Sequence, residues 1–238
     1  MPKRLLVFQH MSWEKPGRHL VRCARGFRTR LDVLEVWRCP MPDLRPYDGL
    51  IVLGGAPNVD EEDRYPFLRE EKQAIDWFLA QDKAYLGFCL GHQLLVDVLG
   101  GKVSPNFAPS VGFIEGRLTK DGRAHPVFHG LPLSLPLFKW HSQAAFPPLP
   151  KGMSILATSA DCQIEAVSLE GRPHVVGLQF DNYAAAVSDV KEWIEGDRRW
   201  LQELGVDTDI LMKTAREREN LIGAHFELLL GNFLKIIP

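Results

Sequence analysis

The sequence lacks any apolar run long enough to span a bilayer, and its opening, MPKRLLVFQHMSW, follows a basic pair with too few apolar residues for a signal peptide. No membrane partner is expected, and a reducing cytosol is the expected compartment. Paired cysteine spacings are missing too. Cys23, Cys39, Cys89 and Cys162 lie far apart with no C-x-x-C, so neither a zinc site nor a disulfide framework is indicated. Nor is there an excess of one charge sign: the formal charge is −2 with both signs interspersed, which gives no footprint for nucleic acid. Repeats and low-complexity tracts are absent. What remains is 238 residues, 45% hydrophobic and 24% charged, enough for one α/β domain with a sizeable core over residues 1–238.

The most informative stretch is Lys83 to Gly100, KAYLGFCLGHQLLVDVLG. Tyr85, Leu86, Gly87 and Phe88 form a short apolar run that stops at Cys89, and Leu94, Leu95, Val98 and Leu99 then recur at helical spacing. The pattern predicts strand, tight turn and helix. Gly87 and Gly91 flank the cysteine as G-x-C-x-G, the layout of a nucleophile elbow with sulfur as the nucleophile. Free cysteines are ordinarily small buried apolar residues. At a helix N-terminus, however, unpaired N–H groups and the macrodipole favour the thiolate, and the Leu90 N–H is placed to donate to an oxyanion.

Upstream, Leu5 to Phe8 reads as a first central strand over 3–9, and Leu20, Val21, Ala24 and Phe27 predict a helix over 17–30 whose five arginines solvate its outer face. Leu31 to Trp37 alternates as a second strand, and Tyr47 to Leu53 is a third that runs into Gly54-Gly55. Two glycines at the carboxyl end of a parallel strand let backbone N–H groups face a ligand. Residues 66–81 predict an amphipathic helix with Phe67, Ala74, Ile75, Phe78 and Leu79 inward. Alternating strands and helices imply a doubly wound sheet.

After Gly101 shorter strands are expected between Pro- and Gly-rich turns, over 114–118, 137–140, 154–158, 164–169 and 174–180. From about residue 196 a helical extension follows. Its stripe of Ile222, Phe226, Leu229, Phe233 and Ile236 is long enough to pack across the domain or to form a homodimer seam, packing within the chain being the expected use.

Gly87-Phe88-Cys89-Leu90-Gly91-His92-Gln93 resembles the G-x-C-x-G-x-Q nucleophile motif of class I glutamine amidotransferases. Leu53-Gly54-Gly55 with Asp60, Glu61, Tyr65-Pro66-Phe67-Leu68 and Glu71 is similar to the oxyanion segment of stand-alone, GMP-synthase-like members. Trp140-His141, Pro150-x-Gly152, Leu156-Ala157-x-Ser159 and Gly177-Leu178-Gln179-Phe180 fall in the family's order, so the resemblance covers roughly residues 3 to 195. It implies a three-layer, flavodoxin-like α/β fold with a mostly parallel sheet and hydrolysis of the glutamine side-chain amide through a Cys89 thioester. It also implies Gly54, Gly55, Leu90 and Gln93 on the substrate side, no metal or organic cofactor, and a partner protein that accepts ammonia.

The resemblance implies a His and a Glu where this chain has Asp181 and Tyr183. A carboxylate beside Cys89 raises the thiol pKa, ordinarily about 8.5, and as the anion has no proton for leaving ammonia. Loss of a triad base in other hydrolases costs on the order of 10⁴ to 10⁶ in turnover. Glutamine hydrolysis is therefore expected to be weak or absent, with two alternatives: a non-catalytic protein that binds glutamine or a γ-glutamyl compound, or a reactive-thiol hydrolase or redox protein. Among the eight histidines His141 is the best substitute base and His10 a weaker one. A local polar role is expected for His92, and turns or surfaces for His19, His125, His129, His174 and His225.

Overall fold

The computed structural model describes residues 2–238. In chain order its elements are β1 (Arg4–Gln9), α1 (Arg18–Gly26), β2 (Arg30–Glu35), β3 (Gly49–Val52), α2 (Phe67–Ala80), β4 (Ala84–Phe88), α3 (Leu90–Val98) and β5 (Lys102–Leu118). There follow α4 (Lys120–Ala124), β6 (Ser134–Phe146), β7 (Met153–Ser159), β8 (Ala166–Leu169), β9 (Arg172–Leu178), α5 (Val187–Gly196), α6 (Arg198–Glu203) and α7 (Thr208–Ile236). The nine strands form one sheet in the order β2-β1-β3-β4-β9-β8-β7-β5-β6.

β2, β1, β3, β4 and β9 pair in parallel, and β9, β8, β7, β5 and β6 continue the sheet by antiparallel ladders. The parallel block has the 2-1-3-4 order of doubly wound folds, whose ligand site lies outside the strands' carboxyl ends. Alternation along β1 divides two cores: Leu5 and Val7 face the side covered by α1, α5 and α7, while Leu6 and Phe8 face α2 and α3. Three layers result. The buried, apolar run Leu5 to Phe8 of β1, with β3 and β4, is what a parallel strand covered on both faces requires.

The second half departs from the short strands expected of it. β5 runs for 17 residues and β6 for 13, because Pro105 and Pro109 are absorbed where the β5–β6 register shifts between Pro105 and Ser110, and Pro136 sits opposite Glu115 on the edge strand β6. α7 starts on an Asp207 cap, whose carboxylate accepts from the Asp209 and Ile210 N–H groups at 2.9 and 3.0 Å. Its Ile222, Phe226, Leu229 and Phe233 are buried in the core beside β1 and β4, so the apolar stripe is used within the chain; Ile236 is only half-buried. Among the described residues no helix is long and apolar enough to cross a membrane.

Candidate functional site

Cys89 sits between β4 and α3 with φ 44° and ψ −100°, a left-sided backbone conformation that costs a non-glycine residue on the order of 1–3 kcal/mol. The flanking glycines make this sharp reversal fit. A Cβ on Gly87 would lie 2.5 Å from the Gly91 carbonyl carbon, and one on Gly91 would lie 2.3 Å from the Val52 oxygen. The elbow read in the sequence is thus built by close approach of strand and helix, and it lifts Cys89 into a cleft of about 210 Å³. Glu14 from the loop after β1, Gly55 to Asn58 after β3, Gln93 of α3, Trp140 to Gln143 of β6, Asp197 between α5 and α6, and Trp200 of α6 complete the walls.

The thiol points at the Trp140 carbonyl, 3.9 Å away. Burial pushes it well above the usual thiol range, and Asp181 and then Glu14 push it further; Lys139 and the Leu90 N–H, which faces the sulfur, oppose this and lose. The thiolate expected from the helix N-terminus is therefore not favoured. A dipole at the end of α3 competes with complete burial and two carboxyl groups.

Asp181 lies beside Cys89, where the sequence reading put it. It is fully buried, and neither carboxyl oxygen has a hydrogen-bond partner. A methyl group placed on Gly54 would touch Asp181 Oδ1 at 3.1 Å, Glu14 Oε2 at 3.3 Å and Cys89 Cβ at 3.5 Å, so three acidic groups converge on one glycine. Burial raises Asp181 well above the carboxylate range, with Lys139 opposing. Burial, Asp197 and Asp181 do the same to Glu14. This corrects the reading of Asp181 as an anion without a proton to give, because desolvation favours the neutral acid, which is a donor.

Tyr183 is packed against Phe88 at 4.7 Å between ring centroids, and its hydroxyl accepts the Gly54 N–H at 3.3 Å. The Gly54 carbonyl is held from the other side. His10 Nδ1 lies 2.8 Å from Gly54 O, and its Nε2 lies 3.0 Å from Glu71 Oε1, both ends buried. Both ring nitrogens face acceptors. Burial lowers His10, but Glu71 and the Gly54 carbonyl outweigh it and the ring titrates above its ordinary value. Since C=O and N–H of one trans peptide point oppositely, the grip on Gly54 O turns the Gly55 N–H away from His10. His10, a weaker candidate base in the sequence, instead fixes this loop.

His141 lines the cleft, with Nδ1 2.8 Å from the Gln143 carbonyl and Nε2 unpartnered; burial, then Lys139, lower it well below its usual value. Gln93 also lines the cleft, and its Nε2 donates to Gln143 O at 2.9 Å and to Gln179 Oε1 at 3.2 Å. His92 packs against Gly177 of β9 rather than toward the thiol, and burial lowers it to about 3. His19, expected at a turn or surface, is buried between α1 and Gly223 of α7. Glu14, Asp197 and Trp200 were missed. Glu14 had a signal, since a carboxylate just past the carboxyl end of β1 falls at the edge where such sheets bind ligands; Asp197 and Trp200 had none.

Among the described residues no three His, Cys, Asp or Glu side chains are arranged to hold a metal ion. The family model described as "Glutamine amidotransferase class-I" matches residues 18–180. The chain is 31% identical over 141 residues to one subunit of the glutamine-hydrolysing GMP synthase of Sulfurisphaera tokodaii, covering 59% of this chain and 70% of that one. It is 34% identical over 132 residues to the glutamine-hydrolysing GMP synthase of Thermomicrobium roseum, where the match is 56% of this chain but 22% of that enzyme. Its fold matches the crystal structure of a glutamine amidotransferase from Thermotoga maritima with a TM-score of 0.89 and 26% identity, covering 99% of both chains. The family match runs from α1 past the end of β9 and takes in both the glycine loop and the Cys89 elbow, and on that ground the chain belongs to the class I glutamine amidotransferases.

Proposed function

We propose that the chain is a stand-alone, glutamine amidotransferase-like protein whose cleft holds glutamine or a γ-glutamyl compound against Cys89, with hydrolysis weak or absent. The observation that carries this is the Cys89 elbow with a buried carboxyl, Asp181, beside the sulfur. In this reading Sγ attacks the γ-carboxamide while the Gly55 and Leu90 N–H groups hold the oxyanion. Only the ionised form of Asp181, which burial makes scarce, can take the thiol proton; it then gives it to the leaving nitrogen, so that ammonia departs and a γ-glutamyl thioester remains, and water then returns glutamate and the thiol. A carboxyl group can carry the proton but, unlike an imidazolium, leaves no positive charge to stabilise the thiolate, so turnover is slow.

Tyr183 acts through Gly54, and His141 borders the substrate. The chemistry calls on no metal or organic cofactor. The naming of the Sulfurisphaera relative as one subunit of an enzyme supports a second chain that accepts ammonia, and we infer that the whole chain works as one domain in the cytosol. A redox role fits less well, since reactive redox thiols are exposed and of low pKa. The experiment is ammonia release from glutamine by the parent chain, Cys89→Ala, and Asp181→His with and without Tyr183→Glu. Silence in the parent and ammonia from an Asp181→His form support the reading. Fast, Cys89-dependent release by the parent contradicts the impairment. Failure of every form to release ammonia or to protect Cys89 from alkylation when glutamine is added sinks the reading.

A further inference from the structure

Several buried groups at and beside the cleft are acceptors left without partners. His141 Nδ1 faces a carbonyl and must carry the ring proton, which leaves the unpartnered Nε2, on a side chain 4% exposed, as a lone pair in the cleft wall. Both Asp181 oxygens beside the thiol are also unpartnered. Glu14, itself 4% exposed, and Asp197, whose Oδ2 accepts Trp140 Nε1–H at 2.8 Å, add two more carboxyls. No lysine or arginine lines the cleft, and Lys139, close to the thiol, is fully buried and joined to Glu165. Gln179 Nε2 and Trp13 Nε1, unpartnered donors, do not line it, and neither does Asp181. The Trp140 and Trp200 indoles supply aromatic wall.

We propose that this cleft receives a primary ammonium group of a small alkylamine, seated among Glu14, Asp197 and His141 Nε2 and against the Trp140 and Trp200 rings; resting on the reading above, this makes the preferred ligand a γ-glutamyl compound bearing an amine. An ammonium has three donors and no acceptor, which matches the acceptors on offer, and aromatic faces attract it. A ligand carboxylate finds no lysine or arginine here and is left to the neutral donors of the wall, such as Asn58, Ser142 and Gln143. The volume, about 210 Å³, lies below the roughly 300–1,000 Å³ of drug-sized ligand sites and suits a small ligand. Glu14 is faced by Asp197 before α6, by Asp181 after β9 and by His10 after β1, with Glu71 of α2 behind His10. With its proton held by burial and these acids, Glu14 gives it up when an ammonium enters.

The test uses the full chain with butane-1,4-diamine as probe, read by tryptophan fluorescence and by calorimetry in two buffers of different ionisation enthalpy. Butan-1-ol is the uncharged control, and glutamine and glutamate are references. Saturable diamine binding with proton release is expected, no binding of the alcohol, and a loss of affinity of about tenfold or more in Glu14→Gln and in Asp197→Asn. Trp200→Leu, at the half-buried rim, gives a smaller loss and serves if Glu14→Gln does not fold. Glutamine binding without diamine binding overturns the proposal and leaves the amidotransferase-like reading standing. Diamine binding that survives both acid substitutions also overturns it. Diamine binding in the cleft with no protection of Cys89 by any γ-glutamyl compound upholds the cation site and sinks the γ-glutamyl reading.

Discussion

Lys139 and Glu165 are as deeply buried as Asp181, all three being fully inaccessible, yet the two groups of charges are treated in opposite ways. Lys139 Nζ donates to Glu165, whose other oxygen accepts from Ser159 at 2.6 Å, so each charge has a partner. The Asp181 carboxyl accepts no hydrogen bond, and although Lys139 opposes the rise in its pKa, its neighbours Cys89 and Glu14 are acids. The paired charges belong to the architecture that holds β6 against the segment before β8. The unpaired ones are a cost that folding alone does not explain, and such costs collect where a ligand is to be met.

The largest effect expected on breaking the contrast comes from the paired side. Lys139→Met leaves Glu165 buried and uncompensated, a loss of about 3–5 kcal/mol. At roughly 2–4 °C per kcal/mol for a chain of this size, thermal unfolding should fall by on the order of 10 °C. Lys139→Met/Glu165→Leu should recover most of that; a double variant as unstable as the single one would mean that the pair is not the element at work.

On the unpaired side the expected sign reverses. Because Asp181 is raised above its unfolded value, its contribution to stability is fully present below about pH 3.9 and is lost as pH rises through the folded value. Asp181→Asn removes that loss, so the variant should melt a few degrees above the parent, with the gap wider at pH 8 than at pH 5. A gap that closes as pH rises would show that Asp181 finds a counter-charge in solution. The smallest effect calibrates the others: Arg199→Ala breaks the exposed Arg199–Glu203 pair and should change stability by no more than about 0.5 kcal/mol, within the error of a melting curve.

The elbow was legible because its requirements are local. G-x-C-x-G at the end of an apolar run has few conformations open to it, and Gly87 and Gly91 are needed by contacts within a few residues or to the neighbouring strand. The parallel strands were legible for a related reason, since burial on both faces writes a continuous apolar run. The long β5 and β6 were not, because a proline reads as a break whether it ends a strand or sits in a bulge. The ion pair of Lys139 with Glu165 left no trace in either local pattern, and Asp197 and Trp200 reach the cleft from the α5–α6 segment, which carries no motif.

The sequence by itself determined the family, the layered α/β fold, the position of the nucleophile and the presence of Asp181 next to it. Those follow from local geometry and from strand and helix periodicities that any sequence-distant packing must respect. Tertiary structure decided the chemistry of the site: that Cys89 is held as a thiol, that Asp181 lacks a partner while Lys139 does not, that His10 grips the glycine loop, and that the cleft wall offers acceptors. Protonation and hydrogen-bond satisfaction depend on dielectric and on the neighbours that long-range packing brings within a few ångströms, and one-dimensional spacing does not encode either.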